Sequence, residues 1–347
     1  MIRLPYFSKP LNHLNRKDRG WMFDVITVGS ATLDAFADTG KGMFRPCPEC
    51  PSHVKVPFGS KILLSGLQFC TGGGGTNTAV GFSRLGFQTG WIGKLGNDAT
   101  AQSVLKELKQ EGVDTSLCAI DRGKASGYSI ILDAKGHDRT VLAFKGSNDD
   151  LKPSDLDFSK IQSQWLYCSS QLGRSARTLL RIVTHAQRQK SRIAFNPSTY
   201  MITSERSTVT QLLHHTHVLI FNAEEAQLLV GRASIEKTMK RIHQRGPSMV
   251  VITNGKHGAH ASDGKQLWHC KALSVPVKES TGAGDAFATG FIAGLIKGKP
   301  ITDAMKMGMT ESASVIQHIG AKNILMTDSQ IQRYLPKIPQ NALTKVH

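Results

Sequence analysis

Short apolar runs alternate along this chain with longer segments in which apolar residues recur every three or four positions. The run FDVITVG, which begins at Phe23, is almost continuously apolar and ends in glycine, as a buried strand does. The segment ATAQSVLKELKQEG, which begins at Ala99, has the period of a helix. Further strand-like runs follow the same rhythm: TGWIGKLG, WLYCSS, RIAFNP, HVLIFN and MVVITN. This alternation predicts βαβ units, and hence an α/β fold whose mainly parallel sheet carries helices on both faces.

Two β-rich segments, at about 36–70 and 125–145, interrupt this rhythm. The second contains GYSIILDAKGHDRTVLAF, which predicts a hairpin that turns near Gly136. The first contains the β-like runs HVKVPF and SKILLS. We predict that the two segments combine into a small sheet that projects from the main domain as a lid.

The ordered pattern starts abruptly at Met22, and this sets the expected domain limits. Residues 22–330 are predicted to form one domain together with its discontinuous lid. Residues 1–21 have no clear period and carry two prolines and several basic residues, so they are interpreted as a basic, disordered N-terminal extension. Residues 331–347 are interpreted as a C-terminal tail.

The formal net charge is +17, with 43 Lys and Arg against 26 Asp and Glu. The basic residues are spread along the chain without long runs and without interleaved aromatic residues, so they do not predict a nucleic-acid surface. No apolar run approaches the roughly 20 residues that would cross a bilayer. No signal peptide is recognisable at the start. We therefore expect a cytoplasmic protein without a nucleic-acid or membrane partner.

The six cysteines are expected to be free thiols in a reducing compartment. Only Cys47 and Cys50 have the CxxC spacing, and a structural zinc site would need a second pair. A zinc site completed by His53 or by a second subunit is the alternative.

The segment STGAGDAFATGF carries the strongest chemical signal. Gly282, Ala283 and Gly284 lead directly into a predicted helix, where small residues allow an anion to approach the first N–H groups. Asp285 lies in the same turn, where a carboxylate can accept the proton of a hydroxyl that attacks phosphorus. N-terminal capping would explain Asp285 alone, but it would not explain the glycines before it.

A second glycine-rich segment, TGGGGTNTAVGFSRLG, includes Gly73, Gly74 and Asn77. It could hold a phosphate, a dinucleotide or a polyhydroxyl substrate, or it could be a tight turn. It lacks the third glycine of GxGxxG and the Lys-Ser/Thr of a P-loop. Asp34 follows the first strand, at the sheet edge where ligands of open α/β folds collect, and its carboxylate could accept bonds from two sugar hydroxyls.

Two strand ends offer weaker signals. In NAEE, Asn222 and Glu225 have the spacing of a capping box, and an acid at Glu225 could also orient waters around Mg²⁺. In TNGKHGA, the residues Thr253, Gly255 and Gly258 could line a nucleotide or form a plain turn.

Together these segments resemble the ribokinase-like (pfkB) family of carbohydrate and nucleoside kinases, in the family's order and from about Phe23 to Thr327. The segments that carry the likeness are GSATLDAF, GGGGTN, IGKLGNDA, GSNDDL, AFNP, NAEE, TNGKHG and STGAGDAF, the last being the most specific. The resemblance implies a Rossmann-type three-layer sandwich with a small β-sheet lid, and an ATP- and Mg²⁺-dependent phosphotransferase.

The resemblance also implies a role for each candidate residue. Asp285 would be the general base, and Gly282, Ala283 and Gly284 would form the anion hole. The remaining residues would hold the acceptor (Asp34, Gly73, Gly74, Asn77, Asn148) and the nucleotide with its metal (Asn222, Glu225, Thr253, Gly255, Gly258), with Glu225 reaching Mg²⁺ through water.

The chain departs from the family at Glu279, where the family signature begins with Asp. In many members that Asp supports a monovalent cation, so potassium activation is open here: the longer side chain could still hold the ion or could displace it. The family also implies a homodimer formed through the lid.

A sugar is the expected acceptor, and a nucleoside is the alternative. Aromatic residues of the lid could stack on a nucleoside base: Phe36, Phe44, Phe58 and Phe69. Its basic residues could instead face an acidic or phosphorylated sugar: Lys41, Arg45, Lys55, Lys61 and Arg139. An inactive kinase fold that binds nucleic acid is less favoured because Asp285 is intact, and a dehydrogenase is disfavoured because the third glycine is missing.

Overall fold

The computed structural model describes residues 22–38, 40, 45–47, 50–55, 59–133 and 139–346. The predicted extension 1–21 lies outside the described residues. Sixteen strands occur within these ranges: β1 (Phe23–Val28), β2 (Thr32–Asp38), β3 (Arg45–Cys47), β4 (Cys50–Lys55), β5 (Gly66–Gly72), β6 (Thr89–Gly96), β7 (Cys118–Asp121), β8 (Gly127–Asp133), β9 (Thr140–Phe144), β10 (Ser163–Ser169), β11 (Arg192–Asn196), β12 (Val218–Asn222), β13 (Met249–Thr253), β14 (Ala259–Ser262), β15 (Leu267–Cys270) and β16 (Leu343–Val346).

The same ranges contain ten α-helices: α1 (Gly74–Arg84), α2 (Ala99–Gln110), α3 (Gly173–Arg188), α4 (Thr199–Ser204), α5 (Arg206–His215), α6 (Ala223–Val230), α7 (Ile235–His243), α8 (Ala283–Ile296), α9 (Ile301–Val315) and α10 (Asp328–Tyr334). Among the described elements, none is a helix long and apolar enough to cross a membrane.

The main sheet has ten strands in the order β16-β15-β14-β13-β12-β11-β10-β1-β6-β7. In this order, each strand from β13 onwards to β7 is parallel to the next one. Beyond β13, the strands β14, β15 and β16 continue the sheet in antiparallel fashion. Residues 331–347, interpreted from sequence as a tail, thus include an edge strand of this sheet.

Helices cover both faces of the main sheet because successive strand residues point in opposite directions. In β1, Ile26 packs with the cluster that includes α3, α5, α6 and α7. The neighbouring Val25 packs on the other face, with α1, α8, α9 and α10. This confirms the predicted α/β fold with helices on both faces of a mainly parallel sheet.

A second, four-stranded sheet has the order β5-β2-β8-β9, with β2 and β8 parallel and both edge pairs antiparallel. It joins the two β-rich segments, as the sequence analysis predicted, and β8 and β9 form the predicted hairpin. The run SKILLS is not a strand; its Leu63 and Leu64 are exposed, and pairing with β2 begins only at Gly66. The remaining strands β3 and β4 form a separate antiparallel pair.

Four cysteines have described side chains, and all four are free thiols, as expected: Cys70, Cys118, Cys168 and Cys270. The side chains of Cys47, Cys50 and His53 lie outside the described part, so the zinc alternative stays a hypothesis. Across the side chains that are described, no group of three His, Cys, Asp or Glu could hold a metal ion.

Candidate active site

The site begins at the N-terminus of α8, where the backbone makes a turn that requires glycine. Gly282 caps the helix with φ 81°, in the left-handed region. A Cβ placed there would lie 2.3 Å from Ala321 Cβ, so a side chain has no room. The first N–H groups of α8, including those of Gly284 and Asp285, have no acceptor within the helix and are available to an anion.

Asp285 is held in this first turn by a side chain from a distant helix. Asn77 Nδ2 in α1 donates a hydrogen bond to Asp285 Oδ2 at 2.8 Å. Burial raises the pKa of Asp285, and the hydrogen bond from Asn77 opposes part of that rise. The carboxylate is therefore more basic than an ordinary surface aspartate, which suits a group that accepts a proton.

Gly74 keeps the space in front of Asp285 open. A Cβ on Gly74 would lie 2.2 Å from Ser169 Oγ and 3.5 Å from Asp285 Oδ1. Gly73, just before it, has φ 97° and would place a Cβ 2.4 Å from the Ser30 carbonyl oxygen. The two glycines therefore allow the start of α1 to approach both the β1–β2 connection and the catalytic candidate.

Two cavities meet at Asp285. One, of about 200 Å³, lies against the N-terminus of α8, and its polar lining comes from Asn196, Asn222, Glu225, Thr253, Gly282, Gly284 and Asp285. The other, of about 280 Å³, lies towards α1 and the loop before β10, with a lining that includes Ser30, Gly74, Lys145, Asn148, Asp149, Ser169, Gln171, Ser198 and Tyr200. Asn196, Glu225 and Asp285 line both.

The carboxyl ends of the parallel strands supply much of this lining. Ser169 at the end of β10 is the register partner of Asn196 at the end of β11. Asn222 at the end of β12 is likewise paired with Thr253 at the end of β13. Polar residues that close adjacent parallel strands thus form a row along one sheet edge, where open α/β sheets bind their ligands.

Asn222 and Glu225 form the predicted capping box at the start of α6. Glu225 N donates to Asn222 Oδ1 at 2.8 Å, and Asn222 N donates to Glu225 Oε2 at 2.9 Å. The other carboxylate oxygen, Oε1, accepts from Thr199 N at 3.0 Å. Burial raises the pKa of Glu225 despite these hydrogen bonds. The carboxylate is thus fixed in orientation at the border of both cavities.

The loop after β13 is only partly in the site. Thr253 lines the cavity beside α8, whereas Gly255 and Gly258 do not. Gly255 has φ 50° and Gly258 has φ 88°. A Cβ on Gly258 would lie 2.0 Å from the Cys270 carbonyl oxygen, so packing against β15 already explains that glycine.

Asp34 does not line either cavity. Its side chain is buried in β2, where Thr32 Oγ1 donates to Asp34 Oδ1 at 2.9 Å. Burial raises the pKa of Asp34, and hydrogen bonds from Thr32 and Ser129 oppose that rise. Gly72 lies so close that an added Cβ would be 2.0 Å from Asp34 Oδ2.

Asn148 borders the cavity near α1, but its amide is occupied by the backbone. Its Oδ1 accepts from Ala31 N at 2.9 Å, and its Nδ2 donates to the carbonyl oxygens of Ala31 and Lys145 at 2.9 and 3.1 Å. It thereby fixes the segment that carries Lys145 and Asp149 against the connection between β1 and β2.

Glu279 lies in the turn before α8 and contacts Arg139, the residue just before β9 of the small sheet. Its Oε1 accepts from Thr281 N at 2.8 Å and from Thr281 Oγ1 at 2.6 Å. The same oxygen is 3.2 Å from Arg139 Nε, just before β9. Arg139, one of the basic residues that from sequence could face an acidic or phosphorylated sugar, thus contacts the loop before α8.

Several lining residues were not among the sequence candidates. Asn196 follows a predicted strand in AFNP, so its place at the sheet edge was a usable signal. Lys145, Gln171 and Tyr200 lie in connections whose course follows from the tertiary structure, and no sequence pattern marks them.

The comparisons with known proteins fit this geometry. Residues 39–328 match the pfkB family carbohydrate kinase model. The chain is 26% identical to a 5-dehydro-2-deoxygluconokinase of Shouchella clausii, over 90% of this chain and 95% of that protein.

Solved structures show the same fold. The structure of Arabidopsis thaliana ribokinase complexed with ribose and ATP matches with a TM-score of 0.77 at 17% identity, over 90% of this chain and 98% of that one. The adenosine kinase of Sinorhizobium meliloti matches with a TM-score of 0.76 at 19% identity, over 90% and 98%. With the family model covering most of its length, this chain belongs to the pfkB family of carbohydrate kinases, phosphotransferases that act on an alcohol group.

Proposed function

We propose that this protein transfers the γ-phosphoryl group of ATP to a hydroxyl of a small sugar, with Asp285 as general base. The observation that supports this most directly is the position of Asp285 between the two cavities. One cavity adjoins the exposed N–H groups of α8 and suits phosphates; the other is lined by hydroxyl, amide and carboxylate groups and suits a polyhydroxyl acceptor.

The proposed reaction follows from this placement. Asp285 accepts the proton of the acceptor hydroxyl as its oxygen bonds to the γ-phosphorus. The bond from that phosphorus to the bridging oxygen breaks, and ADP leaves with the electron pair. Negative charge on the transferring group is stabilised by the N–H groups of Gly284 and Asp285 and by the helix dipole. The raised pKa of Asp285 increases its affinity for the proton.

ATP would enter the cavity beside α8 as its Mg²⁺ complex. Thr253, Asn222 and Gly282 line the space that its phosphates would occupy. Bound Mg²⁺ would neutralise phosphate charge. Both Glu225 oxygens accept backbone hydrogen bonds and retain further lone pairs, so Glu225 would contact the metal through water.

The lining favours a sugar over a nucleoside as acceptor. A nucleoside base would need a stacking surface, and the phenylalanines considered from sequence are absent from the described cavity walls. Phe36 is buried in β2, and Phe69 is exposed at 54% in β5; Phe44 and Phe58 lie outside the described residues. Tyr200 is the aromatic side chain found in the wall of the acceptor cavity.

The acceptor is proposed to carry an acidic group, because Lys145 is exposed in that cavity wall. Lys145 forms no ion pair within 4 Å with the described residues. Its positive charge is nevertheless close enough to lower the pKa of Asp34 and Asp149, against the larger rise that burial causes. A carboxylate or phosphate on the sugar would give this ammonium group a direct partner.

The small sheet is proposed to act as a lid and as the surface of a homodimer. Register places Phe69, Ala35, Ile130 and Leu142 side by side across its four strands. Three of these side chains are exposed, at 54%, 40% and 53% for Phe69, Ile130 and Leu142. An exposed apolar row of this kind is typical of a protein–protein contact, and a second copy of the same sheet is the proposed partner.

The function is tested by measuring Mg²⁺- and ATP-dependent ADP release with neutral sugars, sugar acids, phosphorylated hexoses and nucleosides. Asp285→Asn should remove turnover, by on the order of a thousandfold or more, because the base is lost. The matched control is Asp303→Asn, which changes an aspartate in the first turn of α9, outside the site. Turnover that survives in Asp285→Asn would refute the proposed mechanism, and turnover on nucleosides alone would refute the sugar assignment.

A further inference from the structure

The contact between Arg139 and the loop before α8 links two parts of the molecule that are far apart in sequence. Arg139 precedes β9 of the small sheet, and Glu279 and Ser280 precede the anion-hole turn. Arg139 Nε lies 3.2 Å from Glu279 Oε1, and Arg139 Nη1 donates to Ser280 Oγ. The Arg139 and Glu279 side chains are only 25% and 14% exposed, so water screens this pair less than a surface pair.

Glu279 is the position at which relatives with Asp would support a monovalent cation, and here its carboxylate does not fit that role. Oε1 already accepts two hydrogen bonds from Thr281 and faces a guanidinium group. A potassium ion on this oxygen would lie beside the positive charge of Arg139. Two like charges this close repel each other strongly in a partly buried site, where water screens them less than at the surface.

The loop nevertheless needs a positive charge. The Glu279 carboxylate comes three residues before Gly282, whose turn presents the N–H groups proposed to bind phosphate. Left uncompensated, this carboxylate would oppose the attraction of α8 for an anion. Lys278 N and Glu279 N donate to the Ile316 carbonyl oxygen at the end of α9, which fixes the other side of the loop.

We propose that Arg139 is a positioning residue that supplies this charge from within the chain, so that the proposed kinase reaction does not depend on a monovalent cation. The guanidinium group neutralises Glu279 and holds Ser280, and it does so only when the small sheet lies against the main domain. The conformation of the anion-hole turn therefore depends on the position of the small sheet. This inference rests on the proposed function.

The first test compares cations. Initial rates are measured at constant ionic strength while tetramethylammonium is replaced by potassium, and the thermal unfolding midpoint is measured in the same buffers. The expected result is turnover that changes by less than about twofold and a midpoint that does not respond to potassium specifically. A potassium-specific rise in the midpoint together with strong activation would overturn the proposal.

The second test removes the charge. Arg139→Met should lower kcat about tenfold, whereas Arg139→Lys should lose less because it keeps the charge. Combining Arg139→Met with Glu279→Gln should recover part of the loss, since no unpaired carboxylate then remains. Arg181→Met, at an exposed position of α3, is the control. Equal rates for Arg139→Met and Arg181→Met, or no recovery in the double variant, would refute the role of Arg139.

The readouts also separate this inference from the kinase assignment. The unfolding midpoint and ATP affinity measured by calorimetry do not require an identified acceptor. If no acceptor is phosphorylated, a midpoint indifferent to potassium and an ATP affinity weakened in Arg139→Met still support the built-in charge. A potassium-specific midpoint shift, or an ATP affinity equal to that of Arg181→Met, overturns it in that case.

Discussion

Asn77 and Asp285, 208 positions apart in the chain, are joined by a hydrogen bond of 2.8 Å between the first turns of α1 and α8. The glycine-rich segment and the anion-hole segment, which are separate signals in the sequence, therefore form a single unit. The bond orients the proposed base and stabilises its charged form.

Removing this hydrogen bond should change the pH dependence of turnover. In Asn77→Ala the pKa of Asp285 should rise further, because burial would act without the opposing donor. The base is active when deprotonated, so the acidic limb of the kcat/KM profile should move to higher pH, with an approximately tenfold loss below neutrality. Gln211→Ala, on the exposed side of α5, is the control, and an acidic limb that does not move would contradict the proposed coupling.

Gly282 should be required for catalysis as well as for conformation. Gly282→Ala combines a strained φ of 81° with a close contact to Ala321, so it should displace the N–H groups of α8 and reduce kcat. Gly298→Ala at the other end of the same helix has φ 70° and open space around its Cβ. That control should cost about 1 kcal/mol of stability with turnover unchanged. Similar rates for the two variants would mean that the turn is not part of the catalytic geometry.

Lys145 should determine affinity for an acidic acceptor. Lys145→Met should raise KM for an acidic sugar about tenfold while leaving KM for ATP unchanged, since one charge-assisted contact is lost. The effect should shrink at high ionic strength. Lys160→Met, at an exposed lysine beside Asp157, controls for the change in net charge. A KM that is insensitive to Lys145→Met would contradict the acidic-substrate proposal.

Glu311 should make the protein less stable as pH rises. It is fully buried in α9; Met326 N donates to Oε2, and Oε1 has no hydrogen-bond partner among the described residues. Burial raises the pKa of Glu311 from 4.5 to about 8, so the native state retains a proton that the unfolded state releases. Its stabilising contribution is fully present below the unfolded-state pKa of 4.5 and is lost as the pH rises to about 8. Between these pH values the free energy of unfolding falls with a slope approaching about 1.4 kcal/mol per pH unit.

Chemical denaturation of Glu311→Gln and of the wild type between pH 5 and 8 measures this contribution. It should be on the order of 1 kcal/mol per pH unit. The variant should show a flatter dependence and higher stability than the wild type at the alkaline end. Parallel pH profiles for the two proteins would show that Glu311 is charged in the native state.

The apolar row of the small sheet should control assembly. Leu142→Asp places a charge at the β9 end of the row and should convert a dimer to a monomer in sedimentation velocity experiments, because burying an unpaired carboxylate is costly. Tyr334→Asp, at an exposed position of α10, should leave the sedimentation coefficient unchanged. A wild-type protein that is monomeric at all concentrations would refute the proposed dimer.

The local pattern of apolar residues was sufficient to predict the strands whose ends line the candidate site. The apolar runs before Ser169, Asn196, Asn222 and Thr253 predicted parallel strands, and parallel strands place their carboxyl ends at one edge. The antiparallel extension β14–β16 was not predicted, because four-residue strands are too short for periodicity to be read. The helix α7 was also missed, although Ser234 caps it and its apolar residues are regularly spaced.

Contacts between side chains that are distant in the chain could not be predicted from the sequence. Nothing in the sequence around Lys322 indicates that this lysine is buried. Its side chain is only 3% exposed, and its Nζ lies 2.5 Å from Glu107 Oε2. Arg139 looked like a substrate contact because it is basic and lies in the predicted lid, and its pairing with Glu279 depends on how the small sheet meets the main domain. Long-range pairs of this kind follow from tertiary packing, which a one-dimensional pattern does not encode.

The meeting of two cavities at Asp285 has a consequence for how the nucleotide is protected. In the proposed reaction, a water molecule in the proposed acceptor cavity would reach the Asp285 carboxylate as readily as a sugar hydroxyl would, and a base that activates one can activate the other. Wasteful hydrolysis of ATP therefore cannot be prevented by the chemistry of Asp285. In the proposed reaction it would be limited by occupancy: the acceptor would have to displace that water before the γ-phosphoryl group lies beside Asp285.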